Sequence, residues 1–305
     1  MHRKQRTIRQ SKSCKGVGLH TGVDSVITFH PAPENYGIRF VRSDIKDSPE
    51  IRADIDHVVD ISRGTTIEEN DVRIHTVEHA LAAVTGLRLD NVMIELNSKE
   101  TPVMDGSAKD FVDALLDAGV VKQKSERKVL EISRAVNYTD YYRDIDIHVI
   151  PSDRFRVTFM VEYPLPALGT QYEAIYNMEE DFAVEVAPAR TFCFLSEIEM
   201  LKEQGLIQGG SLDNAIVVDD YRVLNEDGLR FEDEFVKHKL LDVMGDLYLL
   251  GKPILGEFEG YKSGHALNNM LLRELLAQED AWEIVTFDDE ALVPISYVKP
   301  ILIVE

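Results

Sequence analysis

Two stretches of this 305-residue chain repeat one another at a constant offset of 159. Val77–Gly86 reads VEHALAAVTG and Val236–Gly245 reads VKHKLLDVMG, with Val77/Val236, His79/His238, Val84/Val243 and Gly86/Gly245 identical. Such a match is either two copies of one supersecondary unit or the kind of coincidence that many offset comparisons supply. Under duplication the chain must fold as two related α/β halves, with His79 and His238 at equivalent places.

The remaining pattern alternates strands and helices. Arg154–Tyr163 carries Phe155, Val157, Phe159 and Val161 at period two, the mark of a half-buried strand. Val92–Leu96, Val129–Ile132, Ile145–Ile150 and Ile284–Phe287 read as further strands. Helices are predicted at Thr76–Thr85, Ala108–Ala118, Phe194–Gln204, Phe235–Leu250 and Met270–Gln278. Thr76 is placed to cap the first, and Ser107 with Asp110 resembles a capping box for the second. Gly86, Gly119 and Gly251 followed by Pro253 read as helix stops. Lys122–Lys128 (KQKSERK) is polar and unpatterned and is expected to link an N-terminal domain, 1–125, to a C-terminal domain, 126–305.

Charge bounds the partners. The first 125 residues hold 17 bases against 19 acids, whereas the rest hold 16 against 35, within a total of −21. A surface this acidic disfavours nonspecific nucleic-acid binding and a general hold on anionic membranes. No run reaches the roughly 18 apolar residues of a membrane helix, so no stable membrane insertion is expected. The basic N-terminus lacks an apolar core behind it, which leaves a transit peptide or, as expected, a basic first strand. Cys14 and Cys193 stand apart with no paired spacing, which suits a reducing cytoplasm. The glycines form neither a P-loop nor a dinucleotide fingerprint.

Chemistry concentrates on the two repeated helices. His238 and Asp242 are four residues apart, on one face of the predicted Phe235–Leu250 helix, and Asp246 continues the row. The rest of that helix is largely apolar, so the row is either its solvent face or a buried set that must be paired or metal-bound. Glu78 and His79 adjoin on the other helix and point about 100° apart, so His79 can face a metal while Glu78 faces a substrate. Under the repeat, a shared site takes one ligand from the first copy and two from the second. Two His and one carboxylate with an open fourth position is a catalytic rather than a structural zinc set. His265, in the loop Lys262–Asn269, is accessible for proton transfer, with Asp246 as the partner that would keep it charged. Gly18–Gly22 reads as a glycine turn carrying His20, Met104–Ala108 as a turn into a helix, and Ala189–Phe194 as a strand end carrying Thr191.

These segments together identify a resemblance. Gly16–Gly22, Thr76–His79, Met104–Ala108, Ala189–Phe192, Ala215–Phe231, His238–Asp242 and Tyr261–Asn269 match, in order, the bacterial UDP-3-O-acyl-N-acetylglucosamine deacetylases, zinc enzymes of early lipid A synthesis. The likeness runs from Gln5 to the C-terminal strand. It implies an α+β fold of two similar layered domains, with the active site between them and an inserted β-α-β element near 190–214. It implies Zn2+ on His79, His238 and Asp242, Glu78 as general base, His265 as the protonated group oriented by Asp246, Thr191 at the oxyanion and Lys239 on the substrate. Phe192, with Phe194, Leu195, Ile198, Leu201 and Leu206, would line a passage for the acyl chain. The alternative is that this helix simply packs on its own domain. Arg143 lies where the family carries a lysine near the diphosphate, and Lys262 is a further expected substrate contact. The implied partner is an acylated UDP-N-acetylglucosamine, and the expected state is a cytoplasmic monomer. Asp105 and His20 lie in the matching segments without an assigned role. Two other readings compete: a zinc amidase for another N-acyl sugar, and a zinc-binding protein without turnover.

Overall fold

The computed structural model describes residues 3–176 and 181–286. Phe287 of the last predicted strand and the C-terminal strand of the resemblance lie outside the described residues.

Two five-stranded sheets dominate, and they have the same topology. The first runs Lys12–Val17, Asp24–Pro31, Val92–Leu96, Ile38–Arg42, Glu50–Arg52 across the sheet. The second runs Val136–Asp140, Ile145–Ile150, Glu257–Tyr261, Arg156–Glu162, Thr170–Ile175. In each, one neighbouring pair is parallel, the third strand with the fourth, and the other pairs are antiparallel. Each sheet's central strand is preceded by one helix of the repeat and followed by another. In the first half these are α1 (Glu78–Gly86) and α2 (Lys109–Ala118). In the second, after α3 (Leu195–Glu203), they are α4 (Glu234–Tyr248) and α5 (His265–Ala277). Shared strand order, strand sense and helix placement make the offset of 159 a duplication, and Leu81/Leu240 joins its identities.

Each half carries its insertion at the same place, between the edge strand named last above (Glu50–Arg52 or Thr170–Ile175) and the repeated helix. In the first it is a small sheet of Val58–Asp60, Thr66–Glu69 and Val72–Ile74. In the second it is a β-α-β element, with Phe192–Phe194 parallel to Ile216–Val218 and α3 between them. The second strand of this element lies just past residue 214.

The main core is an apolar cluster shared by the two sheets and the helices between them, and a smaller one, Leu168, Ile216, Val218 and Phe235, lies at the β-α-β element. Val157, Phe159 and Val161 point into it and alternate with half-buried Thr158 and Met160, as the period-two pattern required. Helices α1 and α4 pack on each other more extensively than any other pair of helices. Gly245 permits this. A Cβ there would lie 2.1 Å from the Glu78 carbonyl oxygen, so the backbones meet with no room for a side chain.

Several local expectations are corrected. Lys122–Lys128 is not a linker: Val120–Glu126 is a strand antiparallel to Lys4–Ile8, whose polar residues alternate between half-buried and exposed in a two-stranded ribbon. Thr76 does not cap α1. It sits at φ +60, costly for a β-branched residue, and its hydroxyl donates to Glu100. The capping box on α2 is also absent: Ser107 donates to Asp105 within the same turn and accepts the Lys109 amide, rather than engaging Asp110. Helix α5 starts at His265, five residues before the predicted Met270, because Asn268 and Asn269 turn inward instead of forming a loop. Gly119 closes α2 at φ +74, as expected.

A Gly245→Ala replacement should cost about 1–3 kcal/mol by overpacking, lowering the thermal midpoint by several degrees. An unchanged melting curve would show that α1 and α4 separate freely.

Candidate functional site

The row on α4 is buried. Glu234, His238, Asp242 and Asp246 succeed one another at i+4, and none is more than 4% exposed. The row therefore faces protein, and each member must find partners.

His238 and Asp242 meet His79, which α1 brings across. Asp242 Oδ1 lies 3.6 Å from His79 Nε2 and 3.5 Å from His238 Nε2. The imidazole rings stand edge to face with centroids 5.1 Å apart. One ligand atom from each of the three residues falls within 4.8 Å of the others. The second oxygen of Asp242 accepts from Lys239 Nζ at 3.0 Å, which leaves Oδ1 facing the two rings. His238 Nδ1 is held by the Ala189 carbonyl at 3.0 Å. That bond places the proton on Nδ1 and the lone pair on Nε2. Burial depresses the His238 pKa to about 4, so its ring is neutral at physiological pH. Burial opposes charge on Asp242, but Lys239 and the imidazoles hold its carboxyl well below the usual range. Two imidazole nitrogens and one carboxylate oxygen, convergent and dry, are the donor set of a catalytic zinc site. The chemistry of these residues thus fits the ion.

Glu78 lies beside this group, 3% exposed. Its Oε2 accepts the Thr65 amide at 2.9 Å, and burial raises its pKa above the ordinary carboxylate range. Opposite, His265 is the first residue of α5. Its Nδ1 is bonded to Asp246 Oδ2 at 2.9 Å, and its Nε2 lies 3.9 Å from Asp242 Oδ2. Burial and a helix N-terminus both disfavour a charged ring there. The Asp246 carboxylate overrides them and lifts the His265 pKa to about 10. Asp246 is itself fixed by Thr65 Oγ1 at 2.7 Å and Asn268 Nδ2 at 2.8 Å, and Ser263 donates to Asn268 at 2.7 Å.

Glu78, His79, His238, Asp242 and His265 line a crevice of ≈ 420 Å³ that also takes in Thr191, Phe192, Lys239 and Tyr163. It shares Arg63, Thr191, Phe192 and Cys193 with an apolar cavity of ≈ 400 Å³ lined by Leu195, Ile198 and Leu201 of α3. Only Leu201 of that helix is buried, so its apolar residues face the cavity more than the domain. Phe194 lines the crevice, and Leu206 a separate small pocket. Arg143 and Lys262 are not among the residues lining the crevice. Arg143 is exposed on the hairpin after Asp140, and Lys262 is paired with Asp144 at 3.0 Å and Glu162 at 2.7 Å.

Thr65, Asn268, Glu100 and Tyr163 escaped the reading of the sequence. Glu100 explains the Gly18–Gly22 turn: its carboxylate accepts the amides of His20 and Thr21, and a Cβ on Gly18 would strike it. His20 is bonded through Nε2 to the Arg63 carbonyl at 3.1 Å. Asp105 is paired with Arg230 at 2.8 Å.

Replacing Asp246 with Asn removes the charge that keeps His265 protonated. The imidazole pKa, followed by NMR, should then fall from about 10 to the ordinary ~6.5 or below. An unmoved titration would refute the pairing as its cause.

The chain is similar to known proteins over nearly its whole length. Residues 5–277 match the family model described as UDP-3-O-acyl N-acetylglycosamine deacetylase. The chain is 48% identical to a UDP-3-O-acyl-N-acetylglucosamine deacetylase of Hahella chejuensis over 301 residues, covering 98% of this chain and 99% of the relative. It is 46% identical to the protein of that name in Teredinibacter turnerae and 48% identical to the one in Saccharophagus degradans, in each case over 303 residues and 99% of both chains.

Proposed function

The chain belongs to the UDP-3-O-acyl-N-acetylglucosamine deacetylase family, and from the geometry of its crevice we propose how its residues divide the work. It is a hydrolase of a carbon–nitrogen bond. It releases acetate from the 2-acetamido group of an acylated UDP-N-acetylglucosamine, an early step of lipid A synthesis. The observation that carries the residue-level reading is the convergence of His79, His238 and Asp242 between Glu78 and the Asp246–His265 pair.

Zn2+ held by His79, His238 and Asp242 would polarise the acetamide carbonyl and acidify water. Glu78 accepts a proton from the attacking water, since burial has raised its proton affinity. His265, kept charged by Asp246, stabilises the oxyanion and passes a proton to the leaving 2-amine. The Thr191 hydroxyl donates to the oxyanion as the carbonyl carbon becomes tetrahedral. Lys239, on the crevice wall beside Phe192, holds the substrate. Phe192 and α3 receive the acyl chain in the adjoining cavity. Arg143 and Lys262, next to the hairpin turn at Asp144, are assigned to the diphosphate, for which their side chains must leave their carboxylate partners. The reading includes a monomeric cytoplasmic enzyme, and the two free cysteines suit a reducing compartment. No helix among the described residues is long and apolar enough to cross a membrane.

Zinc content and deacetylation assays test the centre. His79→Ala and His238→Ala should each lose bound zinc and at least about 10²-fold in activity, and chelation of the wild type should be reversed by added Zn2+. Full activity in either variant would sink the assignment.

The rate should be bell-shaped in pH. The acid limb belongs to Glu78 and lies above the usual carboxylate value of ~4.3; the alkaline limb belongs to His265, near 10. Glu78→Gln should erase the first limb and His265→Gln the second, each at a cost of about 10²–10⁴ in rate. A limb that survives its variant contradicts that assignment.

Removing the 3-O-acyl chain forfeits about 0.8 kcal/mol per buried CH2, so kcat/KM should fall by orders of magnitude. Equal turnover of the non-acylated sugar would point to a different N-acyl substrate.

A further inference from the structure

We propose that Glu234 and Arg190 are positioning residues for the metal centre, a role that rests on the reading of that centre given above. The segment Ala187–Thr191 passes between the two halves and is fastened at every residue. The Ala187 carbonyl accepts the Ala108 amide at 2.9 Å, and the Pro188 carbonyl accepts Arg230 Nη1 at 2.8 Å. The Ala189 carbonyl holds His238 Nδ1 at 3.0 Å. The Arg190 amide donates to Glu234 Oε1 at 3.0 Å. The Thr191 amide donates to the Gly106 carbonyl at 2.7 Å, and its own carbonyl accepts the Ile216 amide at 2.8 Å.

Glu234 and His238 are one turn apart at the start of α4, and they grip adjacent residues of this segment. Glu234 is fully buried and its carboxylate is saturated. Oε1 also accepts Arg190 Nε at 2.9 Å, while Oε2 accepts Arg190 Nη2 at 3.2 Å and the Arg230 amide at 2.6 Å. The guanidinium, 4% exposed, completes its bonding to the Gly228 carbonyl at 2.7 Å and to the outlying Asp227 at 2.9 Å. A buried ion pair adds little net stability over an apolar pair, but its fixed fork geometry sets one register. Here that register decides where the Ala189 carbonyl stands, and hence which nitrogen of His238 keeps its lone pair and where it points. The same register sets the position of Thr191 on the crevice wall.

The test is zinc affinity of the full-length protein, measured by competition with a chromophoric chelator, together with kcat and KM. Glu234→Gln and Arg190→Lys should bind zinc about 10- to 100-fold more weakly and lose kcat with KM nearly unchanged. Asp227→Asn, which touches only the outer edge of the guanidinium, should match the wild type. Folded Glu234→Gln or Arg190→Lys protein with wild-type zinc affinity overturns the proposal, as does an equal loss in Asp227→Asn. A wild type that binds no zinc overturns the metal reading itself, a separate outcome. Should neither variant fold, amide exchange in the wild-type holoenzyme decides. Exchange of the Arg190 and Thr191 amides only through global unfolding supports a fixed segment, and faster local exchange refutes it.

Discussion

Helices α1 and α4 meet backbone to backbone at Gly245 and Glu78, and the spacing of the whole centre follows from that contact. It puts His79 of one half and His238 of the other within reach of a single carboxylate oxygen. A larger residue at 245 would part the helices and the imidazoles with them. The strained Thr76 belongs to the same constraint. Its conformation is held by Glu100 and lets the chain turn sharply into α1 just before Glu78. The strain is offset by the buried hydrogen bonds around it.

The second demand is the cost of burying so many ionisable groups. Each carboxylate on α4 is answered differently. Asp242 has a lysine and two imidazoles, and Asp246 has a threonine hydroxyl, an asparagine amide and an imidazole. Glu234 has the donors of Arg190 and Arg230. Glu78 has the Thr65 amide as its hydrogen-bond donor. That difference accounts for opposite behaviour at equal depth: the Asp242 carboxyl is held ionised, while that of Glu78 binds a proton more readily than usual. A ligand must stay deprotonated and a base must take up a proton, so the two environments suit the two tasks.

Much of this was legible in the residues. The 159-residue offset carried the two-fold architecture, and the spacing of His238, Asp242 and Asp246 carried the row. Spacing could not say whether the row faced water or protein, because a helix wheel looks the same either way; burial decided it. Thr65, Asn268 and Glu100 gave no signal, since they act across distances of 22 to 181 residues through bonds no local pattern encodes. The capping rules failed where other partners took the hydroxyl: Glu100, 24 residues on, took that of Thr76, and Asp105, two residues back, took that of Ser107. Lys122–Lys128 misled because a strand in an edge ribbon needs no apolar alternation, only a partner.

Duplication has a geometric consequence. A centre assembled from matching positions on two copies of a helix begins with no head and no tail, and would accept a molecule in either direction. Position 83 is alanine where 242 is aspartate, and position 87 is leucine where 246 is aspartate. All the carboxylates of the row thus sit on one copy, and Glu78 sits on the other, where the second copy has Lys237. The insertions diverge as well, a small polar-edged sheet against an apolar β-α-β element. Loss of symmetry at these few places gives the crevice a direction, so that a long asymmetric molecule can lie in it only one way round.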